Sequence, residues 1–328
     1  MAPKYNAKTT ATELTAELAS EIKGKVILTT GISPGGLGAV FVSTIAQASP
    51  KLLILAGRNP AKTQETADAI AKAHPAVQTR TLQLDLGSLA RVRASAAEVK
   101  AWADVPAVDV LVNNAGIMGT KYALSPEGVE AQFATNHLGH FLFANLIMAK
   151  LLAAPAPRVV SITSDGHRLG AVRFHDYNFD GGKTYNPWTA YGQSKTANML
   201  MALSLAEKLG SRGLVAVSLH PGVIFGTSLA NHMNPEEDFA ALTAADKSLG
   251  NWEGWSELRV KTQDEGVATH VYGAFHPELK SHNGAYLQDA HVADPWTETV
   301  RPWGTSPVEA ERLWKLSEKL VGEEFSYE

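Results

Sequence analysis

Short apolar runs that recur along the chain, with longer helical stretches between them, constrain the fold most strongly. Seven runs have the length and composition of buried strands: residues 26–30, 52–55, 81–84, 108–113, 158–163, 214–219 and 285–287. Most of them do not alternate between apolar and polar residues, which is typical of strands covered on both faces. Regular alternation of strands and helices implies a parallel sheet with right-handed crossovers. We therefore predict an α/β fold: a single domain with a Rossmann-type, doubly wound parallel sheet of about seven strands and helices on both faces.

Helix-start signals support this alternation. Asn59 precedes a proline and offers an N-cap side chain. Near the beginning of the chain, Thr10 and Glu13 have the spacing of a capping box. We therefore predict an N-terminal helical extension over residues 1–24, followed by one domain over residues 25–328.

Two segments, residues 165–187 and 226–262, interrupt the alternation. Long loops inside a compact domain commonly serve as lids or binding loops. Bulky apolar side chains stand in or beside these segments, namely Trp188, Met233, Phe239, Trp252 and Trp255. They fit an apolar substrate pocket and, equally, the packing of a lid. We assign residues 226–262 as a substrate loop.

Composition excludes several classes of protein. The chain has 328 residues and no cysteine, which excludes disulfides, thiolate catalysis and cysteine-ligated metals. Its net charge of −4 gives no reason to expect nucleic acid, and none of its 11 histidines has metal-site spacing. No run approaches the roughly 18 apolar residues of a membrane span, and the beginning of the chain lacks the apolar core of a secretory signal. We expect a cytoplasmic protein with no metal, no nucleic-acid partner and no membrane span.

The stretch TTGISPGGLGAV, residues 29–40, places four glycines directly after the first predicted strand. Glycine permits positive φ and lets a backbone approach a phosphate, while the N-terminus of the following helix offers N–H donors. In an open α/β sheet this turn lies at the ligand crevice. The pattern predicts a phosphate-binding turn, and a purely structural turn is an alternative of equal weight.

Arg58 follows the second predicted strand, 22 positions after Gly36. In dinucleotide-binding folds this region faces the adenosine ribose, where a carboxylate favours NAD and an arginine favours the 2′-phosphate of NADP. The strand end carries no acid, Gly57 leaves space for a phosphate, and Lys62 adds a positive charge one helical turn later. A solvated arginine is the alternative. We predict NADP(H) as the cofactor in preference to NAD(H).

Tyr191 and Lys195, in the stretch AYGQSKTANML, are four residues apart and would share one face of a helix. A free tyrosine titrates at about pH 10, and a neighbouring ammonium favours the phenolate by about 1.4 kcal/mol for each unit of pKa depression. Such a pair suits acid–base chemistry. Because this spacing is common by chance, a surface helix pair is the alternative, and the surrounding motifs decide between the two.

Taken together, these motifs resemble those of the short-chain dehydrogenase/reductase superfamily. The T-G-x-x-x-G-x-G turn of that superfamily is similar to the stretch that begins at Thr30, but the turn here is one residue longer. Gly31, Gly36 and Gly38 would then take the three glycine positions, with the extra residue at Pro34 or the glycine after it.

Further motifs follow in the order of the superfamily: N-N-A-G at residues 113–116, N-x-x-G at 136–139, a serine at 164 and P-G at 221–222. The resemblance covers residues 25–287. The serine and the tyrosine are 27 positions apart, which is similar to the retinol dehydrogenase and WW-domain oxidoreductase-like branch.

This resemblance implies a catalytic set of Ser164, Tyr191, Lys195 and Asn136. Tyr191 would exchange a proton with the substrate oxygen, and Ser164 would position that oxygen. Lys195 would tune the tyrosine and hold the cofactor ribose, while Asn136 would support a proton relay. The implied cofactor-binding set is Gly31, Ser33, Gly36, Leu37, Gly38, Arg58, Lys62, Asp85, Leu86, Asn114, Ala115, Gly116, Tyr191, Lys195, Pro221, Gly222, Ile224 and Thr227.

The activity implied by the resemblance is hydride transfer between NADP(H) and the carbonyl or alcohol group of a lipophilic small molecule. Two other interpretations keep the fold: a catalytically inactive NADP(H)-binding sensor or interaction protein, and an epimerase of the same superfamily. Homo-oligomerisation is left open.

Overall fold

The structure, a computed structural model, describes residues 3–251 and 259–327. Within these residues, eight strands form one sheet in the order β3-β2-β1-β4-β5-β6-β7-β8. The strands are β1 (Val26–Thr30), β2 (Leu52–Gly57), β3 (Gln78–Gln83), β4 (Val110–Asn113), β5 (Arg158–Ile162), β6 (Val215–His220), β7 (Tyr286–Gln288) and β8 (His291–Val292). Neighbouring strands are parallel except for β7 and β8. The predicted α/β doubly wound sheet is therefore confirmed.

Helices lie between the strands and at both ends of the described chain. They are α1 (Ala11–Glu17), α2 (Ala19–Ile22), α3 (Leu37–Ile45), α4 (Pro60–Ala73), α5 (Leu89–Ala101), α6 (Ala131–Phe133), α7 (Gly139–Leu146), α8 (Met148–Leu152), α9 (Pro187–Leu209), α10 (Pro235–Ser248), α11 (Gln263–Phe275) and α12 (Pro307–Val321). A π-helical turn, Ala134–Leu138, joins α6 to α7. No described helix is long and apolar enough to cross a membrane.

Two hydrophobic cores, one on each face of the sheet, hold the layers together. One core packs α5, α7, α9 and α12 against the sheet and includes Phe141 and Trp314. The other packs α1, α3, α4 and α11 against the opposite face and includes Phe41 and Tyr272. Strands β1, β2, β4, β5 and β6 are buried along their whole length, which explains why their sequences do not alternate.

The helix-start signals are formed as the sequence predicts. The Asn59 side chain accepts hydrogen bonds from the first turn of α4, and Thr10 and Glu13 form a complete capping box on α1. Thr12, in the same helix, donates from its amide and its hydroxyl to Asp264 of α11, at 3.0 and 2.9 Å. These bonds join α1 to α11. The predicted boundary between an N-terminal extension, residues 1–24, and the domain over residues 25–328 stays a prediction.

The structure differs from the prediction in two places. The sheet has an eighth strand, because a tight turn with Asp289 and Ala290 at positive φ folds β8 back on β7. A strand of two residues is too short to leave a periodic pattern. Residues 226–262, expected as a loop, contain the 14-residue helix α10, which Asn234 caps. Trp252 and Trp255 lie outside the described residues.

The strand order reverses between β1 and β4, and this reversal opens the crevice in which such sheets bind ligands. Gly139, at the start of α7, packs closely beside the crevice. A Cβ built on Gly139 would lie 2.8 Å from the Leu86 Cβ and closer still to the Leu86 carbonyl oxygen. No side chain fits there unless the backbone moves.

We expect Gly139→Ala to lower the free energy of unfolding by about 1–3 kcal/mol, the usual cost of overpacking. Gly87→Ala is the matched control, because a Cβ there would lie 3.4 Å from Asp85 Oδ1, an ordinary contact. Denaturant unfolding of both variants provides the measurement. Equal stability of the two variants would contradict the prediction.

Candidate functional site

The glycine-rich turn after β1 is built by two different uses of glycine. Gly31 and Gly35 have φ of +71° and +77°, a region that side chains rarely adopt. Gly38 is needed for space, since a Cβ there would lie 2.5 Å from the Gly31 carbonyl oxygen and from Asn114 Nδ2. The amide of Gly36 donates to the Ser33 carbonyl at 3.0 Å, so the extra residue is absorbed in a tight Pro-Gly turn. Leu37 begins α3 directly afterwards.

Asn114 ties the ends of β1 and β4 together across the crevice. Its side-chain amide donates to the carbonyls of Thr30 and Gly31 at 2.9 and 3.0 Å. The Thr30 hydroxyl in turn accepts from the amides of Asn114 and Ala115 at 3.0 and 2.9 Å. A Cβ on Gly31 would lie 2.6 Å from the Ala115 Cα. These predicted cofactor residues therefore form one contiguous wall.

Charged residues stand at the ends of the next two strands. Arg58 and Lys62 are exposed, and no carboxylate of the described residues pairs with either of them. Asp85 is half-buried and accepts from the Gly87 amide at 3.2 Å, while Leu86 is buried against α7. Two unpaired cations beside the crevice can receive a phosphate.

Helix α9 brings the candidate catalytic residues to the carboxyl ends of β4 and β5. Tyr191 and Lys195 are 6% and 5% exposed, and Lys195 Nζ lies 5.4 Å from the centre of the Tyr191 ring. The Lys195 ammonium donates to the Ile162 carbonyl at 3.2 Å. The pair is therefore buried, which excludes the alternative of a surface helix pair.

Ser164 approaches Tyr191 from the end of β5. Its hydroxyl accepts from the Gly166 amide at 2.9 Å and lies 3.3 Å from Asp165 Oδ1. A Cβ on Gly166 would lie 2.9 Å from Tyr191 Cε1 and 3.1 Å from Ser164 Oγ. Gly166 thus lets the hydroxyl and the phenol come together, a requirement that the sequence motifs did not reveal.

Burial dominates the electrostatics of this pair. It raises the pKa of Tyr191, and although the Ser164 hydroxyl opposes this shift, the nearby Asp165 carboxylate adds to it. Burial also lowers the pKa of Lys195 to about 8. The pKa of Tyr191 is therefore shifted upward, opposite to the expected depression by the lysine, because desolvation is its largest cause. The phenol therefore holds its proton at neutral pH.

The π-helical turn aims the Asn136 side chain out of its helix. Its Oδ1 accepts from the Ile117 amide at 2.8 Å, and its Nδ2 donates to the Ile117 carbonyl and to Ser194 Oγ, both at 2.9 Å. A Cβ on Gly116 would lie 3.1 Å from Asn136 Oδ1 and 3.5 Å from Lys195 Nζ. Asparagine and lysine therefore converge on the N-N-A-G segment.

The turn after β6 closes the far side of the crevice. Pro221 and Thr227 are buried, and Gly222 has φ of +96° with the Lys261 side chain packed against its Cα. Lys261 forms an ion pair with Asp289 of the β7–β8 hairpin. Ile224 packs on α11 beside Gly266. Among the described residues no hydrogen bond links Thr227 to the other predicted site residues.

Four histidines lie around the site, and burial lowers the pKa of each of them: His137, His140, His167 and His220. They are neutral at physiological pH and act as packing and hydrogen-bonding groups. His140 lies between the Thr30 hydroxyl, at 2.9 Å, and the Asn136 carbonyl, at 3.0 Å. The sequence did contain a signal for this link, because His140 stands one helical turn after Asn136.

A doubly wound parallel sheet whose first crossover carries a glycine-rich turn is the architecture of dinucleotide-binding α/β proteins. Within that class, the chain belongs to the short-chain dehydrogenase family, whose model matches residues 25–238. The predicted family resemblance is therefore confirmed, and the protein is a member of a family of oxidoreductases that use nicotinamide cofactors.

Curated relatives match nearly the whole chain. A short-chain dehydrogenase/reductase named prx1 from Penicillium roqueforti is 35% identical, with 92% of this chain and 86% of the relative covered. Human retinol dehydrogenase 14 is 31% identical over 91% of this chain and 87% of its own, which supports the predicted branch. The chloroplastic short-chain dehydrogenase TIC 32 A from Brassica napus is 33% identical, covering 97% and 94%.

Solved structures show the same fold. An uncharacterised protein from Mycobacterium paratuberculosis superposes with a TM-score of 0.68 at 30% identity, covering 94% of this chain and 98% of that one. The NADPH-bound carbonyl reductase from chicken fatty liver gives a TM-score of 0.57 at 20% identity, covering 83% and 99%. At 20% identity, this similarity shows a shared fold and nothing about function.

We expect Asn136→Ala to lower the free energy of unfolding by about 2–4 kcal/mol, because three hydrogen bonds of the buried carboxamide are lost, two of them to the backbone of Ile117. Asn198→Ala is the matched control, since its side chain donates one such bond, to Ile162 at 3.0 Å. Denaturant titration of both variants measures the difference. If both variants lose the same free energy of unfolding, the second hydrogen bond between Asn136 and Ile117 adds no stability.

Proposed function

We propose that this protein is an NADP(H)-dependent oxidoreductase that interconverts a carbonyl group and an alcohol on a lipophilic small molecule. The observation that carries the proposal is the convergence of Ser164, Tyr191, Lys195 and Asn136 around two glycines, Gly166 and Gly116. A protein that only senses or binds the nucleotide would not need a buried phenol and hydroxyl in contact.

The roles follow from the local chemistry of each group. The Tyr191 phenol, neutral at physiological pH, donates its proton to the oxygen of a carbonyl substrate. The Ser164 hydroxyl hydrogen-bonds that same oxygen and fixes its position. The Lys195 ammonium faces the crevice and holds the ribose hydroxyls, and Asn136 fixes the wall beside it through Ile117.

The residues around the crevice fit a dinucleotide phosphate. Gly31 and Gly38 let the turn pack directly on Ala115 and Asn114, while a Cβ on Gly35 would meet no atom within 4 Å. The N-terminus of α3, which follows this turn, offers N–H groups to a phosphate. Arg58 and Lys62 follow β2, whose end faces the adenosine ribose in dinucleotide-binding folds, and two exposed cations there support NADP(H). When bound, the nicotinamide supplies or accepts the hydride.

A lipophilic substrate is supported by an apolar cluster around Trp188, which stands three residues before Tyr191 in α9. Leu169, Trp188 and Ala245 form a small buried cluster, joined by the half-buried side chains of Met118, Met233 and Leu242. One relative is a retinol dehydrogenase by name, and retinol is a lipophilic alcohol. A cytoplasmic location stays a prediction, since another relative is named as chloroplastic.

We expect Tyr191→Phe to abolish turnover, a loss of at least about 100-fold, because general acid–base catalysis contributes roughly 10²–10⁴-fold. NADPH binding, followed by the fluorescence of the reduced nicotinamide, should change little. Tyr122→Phe is the matched control, because it removes a buried phenol hydroxyl that has no partner in the described chain. Full activity of Tyr191→Phe would refute the assignment.

We expect Arg58→Ala to lower kcat/KM for NADPH by about tenfold or more, because a hydrogen bond to a charged group contributes about 1.5–3 kcal/mol. The value for NADH should barely change. Lys72→Ala, which removes an exposed cation from the last turn of α4, the helix that follows Arg58, should leave both values unchanged. An equal decrease with both cofactors would rule out a role for Arg58 in recognising the 2′-phosphate.

A further inference from the structure

The indole N–H of Trp188 is a buried donor without an acceptor. The side chain is 3% exposed, and its Nε1 has no hydrogen-bond partner among the described residues. Two other indoles are paired: Trp303 donates to the His167 carbonyl at 3.0 Å, and Trp314 donates to Glu318 at 2.9 Å. Buried tryptophan N–H groups usually find a partner, and an unpaired one costs about 1–3 kcal/mol.

Trp188 shares a helix face with the candidate catalytic pair. It stands three residues before Tyr191 and seven before Lys195 in α9, so the three side chains project from one side of the helix. With a rise of about 1.5 Å per residue, Trp188 lies roughly 4.5 Å beyond Tyr191 along the axis, on the side away from Lys195.

The segment after β4 runs alongside this face. At one end, a Cβ on Gly116 would lie 3.5 Å from Lys195 Nζ; at the other, a Cβ on Gly119 would lie 3.7 Å from Trp188 Cη2 and from Met233 Cε. Lys195 and Trp188 are separated by a helical rise of about 10 Å, so the segment from Gly116 to Gly119 follows α9 over this distance. Tyr191 therefore lies between the ribose side and the Trp188 side of one continuous wall.

The side chains packed around Trp188 are apolar, yet polar groups next to them in the chain have no hydrogen-bond partner among the described residues. Leu169, Met233 and Ala245 belong to the same cluster as the indole. Thr120 and Thr243, each adjacent in sequence to a residue of this wall, carry buried hydroxyls that also lack a partner in the described chain. An oxygen atom of a bound ligand would supply the acceptor that Trp188 lacks among the described residues.

We propose that Trp188 is a specificity-determining residue whose indole N–H donates a hydrogen bond to a second acceptor on the substrate. The substrate class is then an apolar ketone or aldehyde that carries a further carbonyl, ether or hydroxyl oxygen several bonds from the reacting group. This inference rests on the proposed function, because the reacting carbonyl is the one held by Tyr191 and Ser164. A site built to pair with such an oxygen discriminates against an analogue that lacks it.

The test compares matched substrates in wild type and Trp188→Phe. Three keto esters, ethyl acetoacetate, ethyl levulinate and ethyl 5-oxohexanoate, are each paired with the alkyl ketone of equal chain length. The ratio of kcat/KM for ester over ketone cancels the effect of a variant on general activity. For at least one pair we expect Trp188→Phe to lower this ratio fivefold or more, while Trp314→Phe, the control, leaves it unchanged.

An unchanged ratio in an active Trp188→Phe enzyme would overturn the inference and leave the proposed function standing. If the wild type reduces none of the ketones or esters with NADPH, the proposed function fails instead. If Trp188→Phe does not fold, the wild type labelled with ¹⁵N in its indoles provides the measurement. The Trp188 signal, assigned by replacing the other six tryptophans in turn, must shift with the keto ester and not with the ketone.

Discussion

The Asn136 carboxamide is the interaction on which the arrangement of the site depends. It holds both the amide and the carbonyl of Ile117 and also bonds Ser194 of α9. Three elements are thereby fixed to one another: the segment after β4, the π-helical turn and the helix that carries Tyr191. A regular helix would direct this side chain along its own surface, and the extra residue of a π turn re-aims it, which is why such turns occur at functional sites.

Burial gives the site its chemical character. The side chains of Tyr191 and Lys195 are both removed from water, and burial favours the neutral form of each. The Asp165 carboxylate further favours the neutral phenol of Tyr191. Proton donation from Tyr191 is therefore available without prior ionisation, whereas proton removal works against desolvation and against a neighbouring negative charge.

The cofactor side of the site could be predicted from the sequence more fully than the substrate side. Gly31 and Gly38 leave no room for a Cβ, and the Asn114 side chain donates to a backbone carbonyl of β1. Because other residues cannot meet these requirements, a short motif specifies the three positions. Helix α10 and the hairpin that holds Asp289 leave no such motif, because their residue types follow from packing against neighbours that are distant in sequence. Gly166 was missed for a related reason, since its role is set by the approach of Tyr191 from another element.

On the face of the sheet that packs against α9, one row of side chains is polar although the core there is apolar. Asn113, Ser161, Ser218 and Tyr286 are register partners on four adjacent strands and therefore share one face. Each is buried and carries a polar atom without a partner in the described chain, at a cost of about 1–3 kcal/mol for each such atom. Two residues earlier, the same face carries leucine, valine and alanine on β4, β5 and β6. The polar row begins where the candidate site begins. Four polar side chains without a partner among the described residues, side by side on an otherwise apolar face, indicate that function, rather than folding, decides these residue types.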